Sequence, residues 1–244
     1  MKVQVVMPIG GIGSRFSKAG ITIPKPLIDV NGKPMFMRAV DSVRNLGFDI
    51  VFIFVIRDDQ NRNFKLAEQI SSHLPEAQIV ILQEETSGAS ATVLKAQHVI
   101  NGDLPLVVLD CDIAFESEDF AGKIIEAVDN SYGGVLLSFK SSDPRYSFAK
   151  IGKEGFVLET AEKNPISNHA LMGAYFFSKA RYFIVAAEHL LQSKLSNQIP
   201  EHYMSLTFNH MLRVGKKVTM ASGKFYCFGT PEELEQYLKT GEPR

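Results

Sequence analysis

Short, wholly apolar runs alternate with segments of helical periodicity through the first half of the chain. This alternation limits the folds open to it more than any other feature. Residues 3–9 form a Val-rich run, and residues 50–56 are apolar and β-branched. Between them, residues 34–46 place Met37, Val40, Val43 and Leu46 at helical spacing. Residues 64–74 and 89–100 read as helices, and residues 79–82 and 104–109 as strands. Strands that are apolar on both faces must be covered on both faces, which predicts a parallel sheet between helical layers. The second half is less regular. Residues 133–140, 149–151, 156–162, 171–178 and 218–221 read as strands. Residues 181–191, 202–214 and 231–238 read as helices. With no repeat or linker, the economical reading is one α/β domain over 1–244 with a mixed sheet. Pattern alone leaves a pure Rossmann fold open.

The chain's 244 residues suffice for a substantial core. A formal net charge of −1 argues against nucleic acid as the main partner, because binding a phosphate backbone needs a basic face. Cys111 and Cys227 show no metal-binding spacing, and a reducing cytosol is the simpler reading. No apolar run reaches the ~18 residues of a membrane span, and the first run is broken too early for a signal peptide. The expected location is the cytoplasm, with no membrane partner.

The chemistry begins directly after the first strand, at Gly10-Gly11-Ile12-Gly13-Ser14-Arg15. Glycines let backbone N–H groups approach a ligand closely, and a run of them cradles anionic oxygens. Arg15 adds a fixed fork for phosphate. A Walker A loop would continue Gly-Lys-Ser/Thr and a dinucleotide loop would carry another glycine; neither is present. Pro24-Lys25-Pro26-Leu27 follows. Two prolines stiffen the backbone around Lys25, so less freedom is lost when it meets a phosphate.

At this point the chain resembles the sugar-phosphate nucleotidylyltransferase family, in its short form. That family joins a strand, a Gly-rich loop ending in Arg, and Pro-Lys-Pro-Leu. Further matches follow in the same order: Gln83 with Gly88-Ala89; Leu109-Asp110-Cys111-Asp112; Glu162-Lys163; Gly173-Ala174-Tyr175-Phe176; and Gly229-Thr230-Pro231-Glu232. The resemblance implies a Rossmann-like, GT-A-type fold with a mixed, mainly parallel sheet. It implies an NTP-binding half over 1–115 and an acceptor-binding half over 116–244. It also implies Mg²⁺, with Asp112 in the place of the metal-binding aspartate and Asp110 as a further candidate. Where many members carry a second metal-binding aspartate, this chain has Cys227, a poor ligand for a hard cation.

The expected activity is transfer of NMP from CTP, UTP or dTTP to a sugar phosphate or other small phosphorylated acceptor, releasing pyrophosphate. Its common use is in nucleotide-sugar supply for capsule or envelope. On the resemblance, Gly10, Gly11, Gly13 and Ser14 hold the triphosphate, Arg15 the leaving pyrophosphate and Lys25 the α-phosphate. Gln83, Gly88 and Ala89 read the base. Lys163 holds the acceptor phosphate, Glu162 its hydroxyls or amines, and Gly173 lies beside them. A phosphate monoester already carries about −1.5 to −2 charge at pH 7, so no general base is required. Three other readings stay open. They are a cytidylyltransferase for phosphocholine, a polyol phosphate or an amino-acid phosphate; a non-catalytic nucleotide sensor; and a glycosyltransferase using Asp110-x-Asp112. A homo-oligomer is likewise open.

Overall fold

The computed structural model describes residues 1–11, 13–194, 196–197 and 199–241. A nine-stranded sheet runs through them. Its first-half strands are β1 (Lys2–Ile9), β4 (Asp49–Arg57), β5 (Gln78–Leu82) and β6 (Leu106–Leu109), side by side as β6-β1-β4-β5 and all parallel. The small hairpin β2 (Asp29–Val30) and β3 (Lys33–Pro34) stands apart from the sheet. Strand β11 (His169–Phe177) adds to β6 antiparallel and carries β8 (Gly134–Lys140), β9 (Ser147–Ile151), β10 (Val157–Glu162) and β12 (Val218–Ser222) into the same sheet. A two-stranded ribbon, β7 (Ile113–Glu116) with β13 (Lys224–Cys227), lies beside it.

Both faces of the central strands are apolar for the reason the sequence gives. Alternate side chains enter different layers: Val5, Met7, Phe52, Phe54 and Ile56 in one, Val6, Ile53 and Val55 in the other. The first layer is closed by α2 (Met35–Arg44), α4 (Leu66–His73) and α6 (Phe120–Asp129), through Phe36, Val40, Ile70 and Ile124. The second is closed by α5 (Ala89–Leu94), α7 (Ala180–Leu191) and α8 (Thr207–Arg213), through Val93, Phe183 and Phe208. A third cluster joins Phe16, Ile28, Met35, Phe228 and Leu234. It pins the first loop to α9 (Pro231–Thr240), and burying Phe16 alone contributes about 2–3 kcal/mol.

Several elements differ from the sequence reading. The helix expected over 64–74 is α4; a separate helix before it, α3 (Asp58–Phe64), went unread, and Lys65 between the two turns left-handed at φ +53°. The helix expected over 89–100 stops at Leu94 and continues as turns. Helix α6 went unread although Phe120, Ile124 and Ala127 are spaced for it. His202 is not helical: it is buried in a connecting segment before a 3₁₀ turn at Met204–Leu206. The first loop ends early, since Ser14 opens α1 (Ser14–Lys18), and its Ile12 lies outside the described residues.

Candidate active site

The parallel strands β1 and β6 end side by side, and open α/β sheets bind ligands at such carboxyl ends. From β1 the chain passes into Gly10 and Gly11. From β6 it passes into Asp110, Cys111 and Asp112. The antiparallel β11 brings Gly173 to the same place, and β13 brings Cys227 beside Ile113. A cleft of about 440 Å³ opens there. Gly13, Ser14, Arg15 and Lys25 line one side, Asp110 and Asp112 the floor, and Glu162, Lys163 and Gly173 the other side.

Lys25 and Asp112 form a close ion pair on the floor, each side chain about one-fifth exposed. Burial alone would push Asp112 up, but Lys25 and then Arg15 outweigh it and hold the carboxylate below its usual range. Burial likewise pulls Lys25 down, and the Asp112 carboxylate more than offsets it. The ammonium also lies 5.8 Å from the Phe16 ring. A Cβ on Gly13 would come within 3.5 Å of the Lys25 Cβ, so the glycine loop and the Pro-Lys-Pro segment touch. Arg15 is exposed and reaches the Gly229 carbonyl only weakly, at 3.5 Å.

Asp110 sits against the backbone of Gly173. Its N–H donates to the Gly173 carbonyl at 2.9 Å, and Gly173 has φ +81° at the point where the β8–β11 register shifts. A side chain there would collide with the Asp110 carboxylate, so glycine is required by both conformation and space. Burial first, and then repulsion from Asp112, pushes Asp110 up to about 8. Burial also pushes the Cys111 thiol up to about 12.

On the other side, Glu162 is held by two hydroxyls, Ser147 at 2.5 Å and Ser205 at 2.9 Å, both on Oε2. Burial raises its carboxyl despite them. Lys163 has the left-handed φ of +53°, rare outside glycine. Its Nζ donates to the Tyr203 hydroxyl at 2.6 Å, and that bond raises its pKa.

Not every residue singled out from the sequence reaches this cleft. Among the described residues, Ala89 lines it, whereas Gly10, Gly11, Gln83 and Gly88 do not. Gln83 is exposed in a neighbouring hollow shared with Ser87 and Lys95. Gly88 packs on the backbone of His202, where a Cβ would lie 2.7 Å from the His202 nitrogen.

Arg145, Glu233 and Tyr203 are among the cleft residues that went unread. Arg145 lies over the Tyr146 ring at 4.6 Å and bonds Glu233 at 2.6 Å. Glu233 is buried, and its Oε2 accepts from the Cys227 thiol at 3.2 Å. Glu233 had a signal: Thr230-x-x-Glu233 is a helix-start spacing, and the Thr230 hydroxyl does accept from the Glu233 N–H at 3.2 Å. Arg145 lies in a segment without periodicity, and Tyr203 at the start of the segment read as a helix over 202–214.

Residues 5–197 match the MobA-like NTP transferase domain family. The chain belongs to this family. This NTP transferase is 23% identical to the bifunctional protein GlmU of Methanocaldococcus jannaschii, over 95% of this chain. It spans about half of that relative's length, 52%. It is 27% identical to the UTP–glucose-1-phosphate uridylyltransferase YngB of Bacillus subtilis, over 75% of this chain and 71% of the relative. The crystal structure of a nucleoside-diphosphate-sugar pyrophosphorylase from Vibrio cholerae superposes with TM-score 0.81 at 25% identity, covering 97% of this chain and all of that one. The fold is thus the Rossmann-like, GT-A-type nucleotidyltransferase fold, and the NTP transferase is an enzyme of that class. None of its described helices is long and apolar enough to cross a membrane.

Proposed function

We propose that this NTP transferase moves NMP from CTP, UTP or dTTP to a sugar phosphate, in the cytoplasm, for nucleotide-sugar synthesis. The observation that carries this reading is the Lys25–Asp112 pair on a cleft floor between Arg15 on one side and Lys163 with Glu162 on the other. Residues 1–115 serve the nucleotide and residues 116–244 the acceptor, within one domain.

An acceptor phosphate oxygen attacks the α-phosphorus in line. The new P–O bond forms as the bond to the bridging α–β oxygen breaks, and pyrophosphate leaves with that electron pair. No proton has to move, so the work left to the protein is positioning and charge neutralisation. Lys25 meets the α-phosphate, Arg15 the departing pyrophosphate, and Lys163 the acceptor phosphate, while Glu162 accepts from acceptor hydroxyls.

The donor set fits Mg²⁺ in one respect and not in another. Among the described residues no three His, Cys, Asp or Glu side chains cluster as a ready-made cage. Mg²⁺ at a phosphate site needs only one or two carboxylates, the rest of its shell being water and phosphate oxygen. Asp112, ionised and open to the cleft, meets that need. Cys227 does not, since burial, with Asp112 and Glu233 nearby, pushes its thiol well up. When bound, the ion would neutralise triphosphate charge.

The test is pyrophosphate release with each of four NTPs against a panel of phosphorylated acceptors. Turnover with glucose 1-phosphate or another sugar 1-phosphate supports the reading. Turnover confined to phosphocholine, a polyol phosphate or an amino-acid phosphate transfers it to the non-sugar cytidylyltransferases. NTP binding without turnover on any acceptor favours a sensor.

A further inference from the structure

Four consecutive residues, 202–205, touch both the nucleotide side and the acceptor side of the site. His202 grips the loop before α5 twice and the first turn of α5 once. Its N–H donates to the Ser87 carbonyl at 2.6 Å, its carbonyl accepts from the Ser90 N–H at 3.1 Å, and its Nδ1 lies 2.7 Å from the Ser87 hydroxyl. The contact is close enough to exclude any side chain at Gly88. One residue on, the Tyr203 hydroxyl accepts from Lys163, whose ammonium also lies 4.8 Å from the Tyr203 ring. Two residues further, the Ser205 hydroxyl donates to Glu162 and its carbonyl accepts from Thr160 at 2.8 Å. His202, Met204 and Ser205 are buried.

A buried segment with this many bonds at both ends moves as a unit. Lys163 depends on it. A lysine keeps a left-handed backbone only when its surroundings dictate it. Here the Lys163 N–H donates to the Tyr146 carbonyl at 3.0 Å while its Nζ is held by Tyr203. We infer that residues 202–205 are a positioning element that ties acceptor affinity to the nucleotide loop: a nucleotide seated against Ala89, which follows that loop and lines the cleft, fixes the neighbouring Ser87 and Ser90 contacts with His202, and His202 fixes Tyr203 and thereby Lys163. Tyr203 and His202 are positioning residues and take no part in bond making. The inference rests on the proposed division into nucleotide and acceptor sides.

Calorimetry separates the two. The dissociation constant of α-D-glucose 1-phosphate is measured with and without a saturating α,β-methylene analogue of UTP, with the CTP and dTTP analogues in parallel. In the wild-type protein the analogue should tighten acceptor binding by about tenfold, within the usual range of coupling between sites. Ser87→Ala, which removes the side-chain contact and keeps the two backbone ones, should lower that ratio more than twofold and leave acceptor binding without nucleotide unchanged. Ser87→Thr, which retains the hydroxyl, should restore it. Tyr203→Phe should weaken the acceptor several-fold under both conditions and leave analogue binding alone. If Ser87→Ala fails to fold, His202→Gln is read in the same way. Binding of both ligands with a wild-type ratio near one overturns the coupling alone. So does a ratio that Ser87→Ala leaves within twofold of wild type. No binding of any nucleotide analogue overturns the proposed function and the coupling with it.

Discussion

Gly173→Ala tests whether the geometry of the cleft floor depends on the register shift in β11. Two costs can be read from the structure. An alanine at φ +81° occupies the left-handed region, at about 1–2 kcal/mol. Its Cβ would also overlap the Asp110 carboxylate, with the Asp110 Cγ at 3.0 Å and Cβ at 3.1 Å, and these belong to a side chain in the cleft floor whose own N–H is tied to the Gly173 carbonyl. Relieving that overlap means turning Asp110 or shifting β11, a further ~1–2 kcal/mol by analogy with overpacking. The sum, about 2–4 kcal/mol, corresponds to a Tm fall of roughly 4–16 °C for a chain of this size. Differential scanning calorimetry measures it. Gly122→Ala is the control, because Gly122 is an exposed helical glycine with nothing within 4 Å of an added Cβ. It should gain about 0.5–1 kcal/mol. Activity should fall with Gly173→Ala by more than the unfolded fraction explains, since Asp110 precedes Asp112 by two residues. A Gly173→Ala protein with wild-type Tm and turnover would refute the reasoning.

Arg15→Ala should lower kcat by roughly 10²-fold or more with Tm unchanged, the scale for losing one charge contact in a transition state; steady-state pyrophosphate release measures it, and near-normal turnover removes Arg15 from the phosphate site. Chelation should abolish turnover and Mg²⁺ or Mn²⁺ should restore it; Mn²⁺ affinity measured by paramagnetic resonance should fall in Asp112→Asn and rise or hold in Cys227→Asp. Lys163→Ala should raise the acceptor KM about tenfold or more, the value of one charge-assisted hydrogen bond, and keep NTP binding within a few-fold; equal loss of both substrates would show the sides to be wrongly divided. Glu162→Gln should change the pH dependence of stability. The folded-state value of Glu162 is raised by burial, so its contribution is full below the ordinary glutamate range and is lost as pH rises through the raised value. Urea titrations from pH 4 to 7 should therefore show the variant gaining on wild type as pH rises, and parallel profiles would contradict the burial argument.

The parts of the fold legible in the sequence are those governed by short-range regularity. Residues 3–9 and 50–56 are apolar on both faces, and they are the two strands at the centre of the parallel array. The Gly-rich loop and the Pro-Lys-Pro segment announced themselves because glycine and proline restrict or free the backbone locally. What stayed hidden depends on contacts far apart in the chain. Gln83 was matched by its order along the chain, but β5 is the last strand of the array and leaves it exposed outside the cleft. His202 carries no local sign that Ser87, far earlier in the chain, will fold against it. The break at Lys65 shows the reverse limit. Nothing in the periodicity of residues 64–74 marks the left-handed Lys65, which sits at the junction of α3 and α4.

Cys227 shows why a motif position and its chemistry must be read together. At that position the sequence alone indicates a missing carboxylate. In the fold, strand β13 presents the thiol and the first turn of α9 presents Glu233 to the same spot. Seen from Gly229, a Cβ would meet Glu233 Oε2 at 3.2 Å, Asp112 Oδ2 at 3.3 Å and Cys227 Sγ at 3.4 Å. A thiol pushed above its usual range stays protonated and donates to Glu233, so it supplies a proton to the cluster and not a charge. Asp112 and Glu233 therefore each face a cation here: Asp112 pairs with Lys25, and Glu233 with Arg145, which Asp143 shares. The arrangement keeps the local charge near balance, so an incoming triphosphate meets a floor that is not strongly repulsive, which two unpaired carboxylates would be. Glycine at 229 follows from the same crowding: a methyl there would press on both carboxylates and the thiol at once.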